Sequence, residues 1–197
     1  CWQRDAWVNF EGKGTLVSSE AKYWDLAYKK IGNCNMVIDA EKNVTCDNDG
    51  DRALLRHVMG ETHYLRATYY FTLVNLYGKP YAPATASATP GVPIKTSANV
   101  EDKDYVRASV AEVYDQITAD LDEAENDLKD VTAPQTVYHV GIEAVYVFRS
   151  RVELFMQNWQ KAADYAKLAL EQDSYLQNLV GWKTGYPISS DNKEVVY

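Results

Sequence analysis

A chain of 197 residues with 46% apolar content can build one sizeable core or two small ones, and the composition is that of a globular protein. The formal charge of −8 repels duplexes and anionic membrane surfaces, so nucleic acid is not an expected partner. No apolar run approaches the roughly 20 residues of a membrane-spanning helix. The three cysteines show no C-x-x-C pair, which supports neither a zinc site nor a disulfide framework, although a Cys34 to Cys46 bridge is a minor alternative. The excess is in aromatics, with 15 Tyr and 5 Trp, side chains that offer a flat apolar face and a polar edge.

The chain opens on Cys1, which fits either a simple truncation or the lipid-bearing cysteine of a mature lipoprotein; the folded-looking WQRDAWVNF directly after it favours truncation. Trp2, Trp7 and Phe10 crowd this segment beside Gln3, Arg4, Asp5, Asn9 and Glu11. Rings next to amides and charges suit a sugar, whose faces carry C–H patches and whose edge carries hydroxyls. Pinning the segment to the helices is an equally weighted role for them.

Trp24, Tyr28, Ile31, Cys34, Asn35 and Ile38 recur mostly at intervals of three and four, which predicts a helix over residues 19–41. A polar turn, 43–51, ends it. A second helix is expected over 51–76, and its later half is apolar around the circumference: Tyr64, Leu65, Ala67, Tyr69, Tyr70, Phe71, Leu73, Val74 and Leu76. Such a helix has to be covered on several sides. Gly78, Pro80, Pro83, Pro90, Gly91 and Pro93 then make 78–99 a long irregular loop, of a kind that is usually functional or mobile.

The third helix begins with a capping box, Ser109-x-x-Glu112. Val110, Val113, Tyr114, Ile117, Leu121, Ala124 and Leu128 form its apolar stripe, and Asp115, Asp120, Asp122, Glu123 and Glu125 are expected mostly on the wet face. Two further helices form a pair, one over 141–156 and one after the break Gln157-Asn158, with Asn158 as N-cap. Ala162, Ala166 and Ala169 share a face that admits a close partner. The unit 141–173 resembles the helix-turn-helix of tetratricopeptide repeats, with Glu153 in place of the usual aromatic and Ser174 in place of the usual proline. The end of the chain reads as loop entering a strand.

A search for paired carboxylates, an activated nucleophile or phosphate-cradling glycines finds none, and Gly12-Lys13-Gly14-Thr15 lacks the spacing of a phosphate loop. His57 and Glu61 stand one helical turn apart and could share a metal, with His63 behind them, but a six-residue step points the two histidines to different faces. The expectation is a structural role, with no metal and no cofactor. Glu61 and Arg66 are five residues apart, a rotation of about 140° that prevents them from pairing. Each is expected to satisfy polar groups on packed neighbours, such as loop carbonyls or helix termini.

Tyr23-Trp24-x-x-Ala27-Tyr28-x-x-Ile31-x-x-Cys34-Asn35 and the block GETHYLRATYYFTLVNLYGKPY, with Gly60-Glu61, Leu65-Arg66-Ala67, Tyr69-Tyr70-Phe71 and Gly78-x-Pro80 at its fixed positions, resemble the signature of SusD/RagB-type outer-membrane lipoproteins of Bacteroidetes. Gly91-Val92-Pro93, the run from Arg107 through Ala124, and Asn192-Lys193-Glu194-Val195-Val196 fit as well. The resemblance implies an all-α, SusD-like fold of tetratricopeptide-like helix pairs with long loops, the chain being one N-terminal helical region, 1–197, truncated at both ends. It implies non-catalytic capture of glycan at the cell surface and delivery to a TonB-dependent, SusC-like outer-membrane transporter, with membrane attachment only through a lipid anchor. Glycan contacts are then expected by region at Trp7, Trp2 and Asn9, while Glu61 and Arg66 stay structural. The alternative is a tetratricopeptide-like protein-interaction scaffold with no sugar site of its own.

Overall fold

The computed structural model describes residues 15–99, 101–102, 104–131 and 138–175, with side chains from residue 23 onward. Five α-helices follow one another: α1 (Thr15–Ala40), closed by a short 3-10 turn at Glu41–Asn43, α2 (Asp49–Tyr77), α3 (Val110–Leu128), α4 (Ile142–Phe155) and α5 (Trp159–Gln172). Among the described residues the only extended pairing is an isolated antiparallel bridge between Pro90 and Ser109. The fold is all-α.

Helix α2 starts two residues before the expected position because Asn48 caps it. The Asn48 Oδ1 accepts the backbone N–H of Asp51 at 2.9 Å, and its Nδ2 donates to the Asp51 carboxylate at 2.9 Å. Helix α3 carries the full capping box. The Glu112 carboxylate takes both the Ser109 N–H and its hydroxyl at 2.7 Å, and the Glu112 N–H returns to Ser109 Oγ. Those two bonds from Ser109 hold the Glu112 carboxyl below the usual range.

The chain forms two compact units. The first comprises Cys1–Thr45 and Leu65–Asp120. Its buried core draws Ala27, Ile31 and Cys34 from α1, Ala67, Tyr70, Leu73 and Val74 from α2, and Val110, Val113, Tyr114 and Ile117 from α3. Rings tie these together: Trp24 packs against Tyr28 and edge-on against Tyr77, and Tyr114 meets Phe71 and Tyr81. The later half of α2 is not covered all round, since Leu76 is 56% exposed and Asn75 also faces solvent.

The loop after α2 is fastened rather than loose. The Tyr28 hydroxyl donates to the Pro93 carbonyl at 2.7 Å, and the Tyr70 hydroxyl both donates to the Lys95 carbonyl and accepts its N–H. Arg107 donates to the carbonyls of Gly91 and Tyr77, and Gly91 and Val92 exchange backbone hydrogen bonds with Ala108. Ala86 and Val92 are buried.

The second unit comprises Cys46–Tyr64 and Leu121–Tyr197. Gly60 stands where a Cβ would lie 2.5 Å from Cγ of the buried Leu128, so the absent side chain is what lets that leucine seat against α2. Helices α4 and α5 pack as an antiparallel-type pair across the Gln157-Asn158 break. Ser150 Oγ donates to the Ala162 carbonyl at 2.8 Å, Tyr146 stacks on Tyr165, and Ala162 and Ala169 are buried while Ala166 is half-buried.

Helix α4 ends in a Schellman arrangement: the Gln157 N–H bonds to the Leu154 carbonyl and the Asn158 N–H to that of Glu153, with Gln157 at φ 65°. Asn158 occupies the N-cap position of α5, but its side chain does not cap. It donates instead to the buried Glu153 carboxylate at 2.7 Å, which explains how an acid is accommodated where a repeat usually holds an aromatic. Cys34 and Cys46 are free thiols, and burial pushes the Cys34 thiol up.

Candidate functional site

In the first unit the charged centre is Arg66, 6% exposed on α2. Its guanidinium makes a fork onto Asp120, Nε donating to both carboxylate oxygens at 3.2 and 3.0 Å and Nη2 to Oδ1 at 2.5 Å. The remaining nitrogen, Nη1, donates to Asn35 Oδ1 at 2.8 Å, and the Asn35 amide passes the chain of bonds on to the carbonyls of Lys95 and Ser97. A bidentate Arg–carboxylate pair with its other donor satisfied is what makes two buried charges tolerable. The result is a clamp from α3 through α2 and α1 to the loop at 95–97.

Asp120 therefore departs from the expected wet face: it is 1% exposed. The periodicity carried the signal, because Val113, Ile117, Asp120 and Ala124 are spaced four, three and four apart and place the aspartate within the apolar stripe. A buried acid at such a position requires a cation, and Arg66 is that cation.

In the second unit, Arg149 plays a comparable part. It is 6% exposed on α4 and donates to Asp122 at 2.5 Å and to Glu125 at 2.9 Å, with its guanidinium carbon 4.6 Å from the Tyr165 ring centre. Asp122, exposed as expected, and the half-buried Glu125 are ion-pair partners of α4.

Glu61 does not approach Arg66. Its Oε1 accepts the Val140 N–H at 2.8 Å and lies 3.1 Å from His139 Nδ1 and 3.5 Å from His57 Nε2. One carboxylate oxygen thereby meets two imidazoles and a backbone N–H just ahead of α4. Together His57, Glu61 and His139 bring three ligand-type atoms within 4.8 Å of one another. Local spacing pointed to His57 and Glu61 with His63; the third member is His139, 78 residues beyond Glu61, which no local pattern announces. Trp2, Trp7 and Asn9 lie outside the described residues, as do Cys1 and the expected terminal strand.

The clamp, the pinned loop and the α4–α5 pair can be set against known proteins. A family model for SusD-like proteins, described as starch-binding, associating with outer membrane, matches residues 6–154, well over half of the chain. The chain belongs to the SusD-like family. It is 26% identical over 171 residues to the SusD-like protein P38 of Formosa agariphila, an alignment covering 84% of this chain and 30% of that protein.

Two solved SusD-like structures are similar in fold. A SusD superfamily protein from Bacteroides thetaiotaomicron superposes with a TM-score of 0.68 at 28% identity, covering 79% of this chain and 33% of that one. A SusD-like carbohydrate-binding protein from Bacteroides vulgatus gives 0.68 at 27% identity over 81% of this chain and 33% of its own. The present chain spans 30 to 33% of the length of these SusD-like relatives.

Proposed function

We propose that this chain is part of a SusD-like protein that binds glycan without catalysis at the outer-membrane surface and hands it to a TonB-dependent, SusC-like transporter. The observation that carries the reading is the family match over residues 6–154, with its description as starch-binding. The geometry supports it. The two buried arginines are committed to carboxylates, Arg66 to Asp120 in the first unit and Arg149 to Asp122 and Glu125 in the second, as structural groups of a scaffold are. Among the described residues no helix is long and apolar enough to cross a membrane.

Within this reading Trp7, Trp2 and Asn9 are the proposed glycan contacts, the rings stacking on sugar faces and the amide meeting hydroxyls. Calorimetry and tryptophan fluorescence of the full-length protein with starch-derived and other neutral oligosaccharides test it. Binding is expected for at least one glycan, and Trp7→Ala should weaken it by about tenfold, a loss of about 1.4 kcal/mol. Silence across the panel overturns the glycan reading. A pull-down of the barrel transporter by the Trp2→Ala, Trp7→Ala protein tests the partnership separately, and its failure removes the transporter step alone.

A further inference from the structure

We infer that His57, Glu61 and His139 form a binding site for one divalent transition-metal ion, of which Zn2+ is the representative. Two independent observations meet here. The first is the convergence of two imidazoles and a carboxylate with their ligand atoms within 4.8 Å of one another, His57 and Glu61 from one face of α2 and His139 from the segment that leads into α4. The second is the state of His57. It is 3% exposed, and neither of its ring nitrogens has a hydrogen-bond partner; its Nε2 stops 3.5 Å from Glu61 Oε1. A buried imidazole always presents a donor or acceptor on each nitrogen, and leaving both unmet is costly. A metal ion placed between His57 and Glu61 satisfies one of them.

The spacings suit a small tetrahedral ion. Ligand atoms held about 2.0 to 2.1 Å from zinc stand about 3.4 Å from one another in a tetrahedron. The Glu61 oxygen lies 3.5 Å from His57 Nε2 and 3.1 Å from His139 Nδ1, so two of the three edges already have that length. The His57 and His139 rings are inclined at 64° with centres 5.7 Å apart, and the third edge, between their ligand nitrogens, is no longer than 4.8 Å. The His139 side chain is 45% exposed, so this side of the cluster is open to solvent, where a fourth ligand such as water would bind.

The Val140 N–H, donating to Glu61 at 2.8 Å, orients the carboxylate as outer-shell groups do around metal ligands. Two nitrogen donors and one carboxylate favour zinc, copper or nickel over calcium or magnesium, which prefer all-oxygen shells. The ion would fasten the start of α4 to α2.

Titration of the EDTA-treated chain with ZnCl2 by calorimetry tests the site, with Co2+ as a visible-band probe of tetrahedral nitrogen and oxygen ligation. One equivalent of Zn2+ is expected to bind and to raise the melting temperature. His139→Ala, at a partly exposed position, and the near-isosteric Glu61→Gln should each weaken binding by about tenfold or more and abolish the thermal shift, with circular dichroism of each variant checking that it is folded. If the wild-type chain binds no stoichiometric Zn2+, or if His139→Ala binds it as tightly as wild type, the cluster is a hydrogen-bonded anchor and the metal site is overturned.

Discussion

At the scale of single residues, the arrangement that most constrains the fold is the Arg66–Asp120 pair. Asp120 is 1% exposed and its carboxylate takes the guanidinium on both oxygens, so removing the cation strands a buried charge. Arg66→Met is expected to destabilise the chain by about 3 to 5 kcal/mol in urea unfolding. The double change Arg66→Met, Asp120→Leu should recover most of that loss, because an apolar pair of similar volume needs no compensation. A double variant no more stable than the single one would show that Asn35, left without its donor, carries the effect instead. Asp120 was legible in principle from its place in the apolar stripe. Its partner was not, since Arg66 lies 54 residues away and sequence spacing carries no information across that gap. The same holds for Glu61, whose role as acceptor for Val140 spans 79 residues.

At the scale of elements, the helices were readable because periodicity and capping are local. The Ser109–Glu112 box starts α3 where its sequence says, and Asn48 extends α2 by a capping bond that a reading of the apolar pattern alone passes over. The turn between α4 and α5 was readable as a break but not in its geometry. Gln157 adopts φ 65°, a left-handed conformation that costs a residue with a Cβ about 1 to 2 kcal/mol and costs glycine little. Both hydrogen bonds of the Schellman turn are backbone bonds and survive substitution. Gln157→Gly should therefore stabilise the chain, by up to about 1 kcal/mol once the greater freedom of glycine in the unfolded chain is subtracted. A rise in the urea midpoint at unchanged slope is the expected result; a fall would mean that the glutamine side chain contributes a contact worth more than the strain.

For the molecule as a whole, the long segment after α2 reads in sequence as twenty residues of loop, yet its attachment rests on side chains of the helices around it. Tyr28 and Tyr70 hold the carbonyls of Pro93 and Lys95, and Tyr114 sits among Phe71 and Tyr81 in the same unit. Burial pushes the Tyr70 and Tyr114 hydroxyls up to about 12 and raises that of Tyr28 as well. A phenol whose folded-state pKa lies above its unfolded value near 10 stays protonated when folded and ionises when unfolded. Above about pH 10 the unfolded chain therefore binds fewer protons than the folded one, and stability falls as pH rises, by about 1.4 kcal/mol per pH unit for each such tyrosine until the folded pKa is reached. Below about pH 10 these groups contribute no pH dependence. Unfolding in urea at intervals between about pH 9 and 12 should show this decline, and Tyr70→Phe should lower its slope by one tyrosine's share while costing stability at neutral pH through the lost bonds to Lys95. A slope unchanged by Tyr70→Phe would mean that the phenol titrates equally in both states and that the loop is held by other contacts.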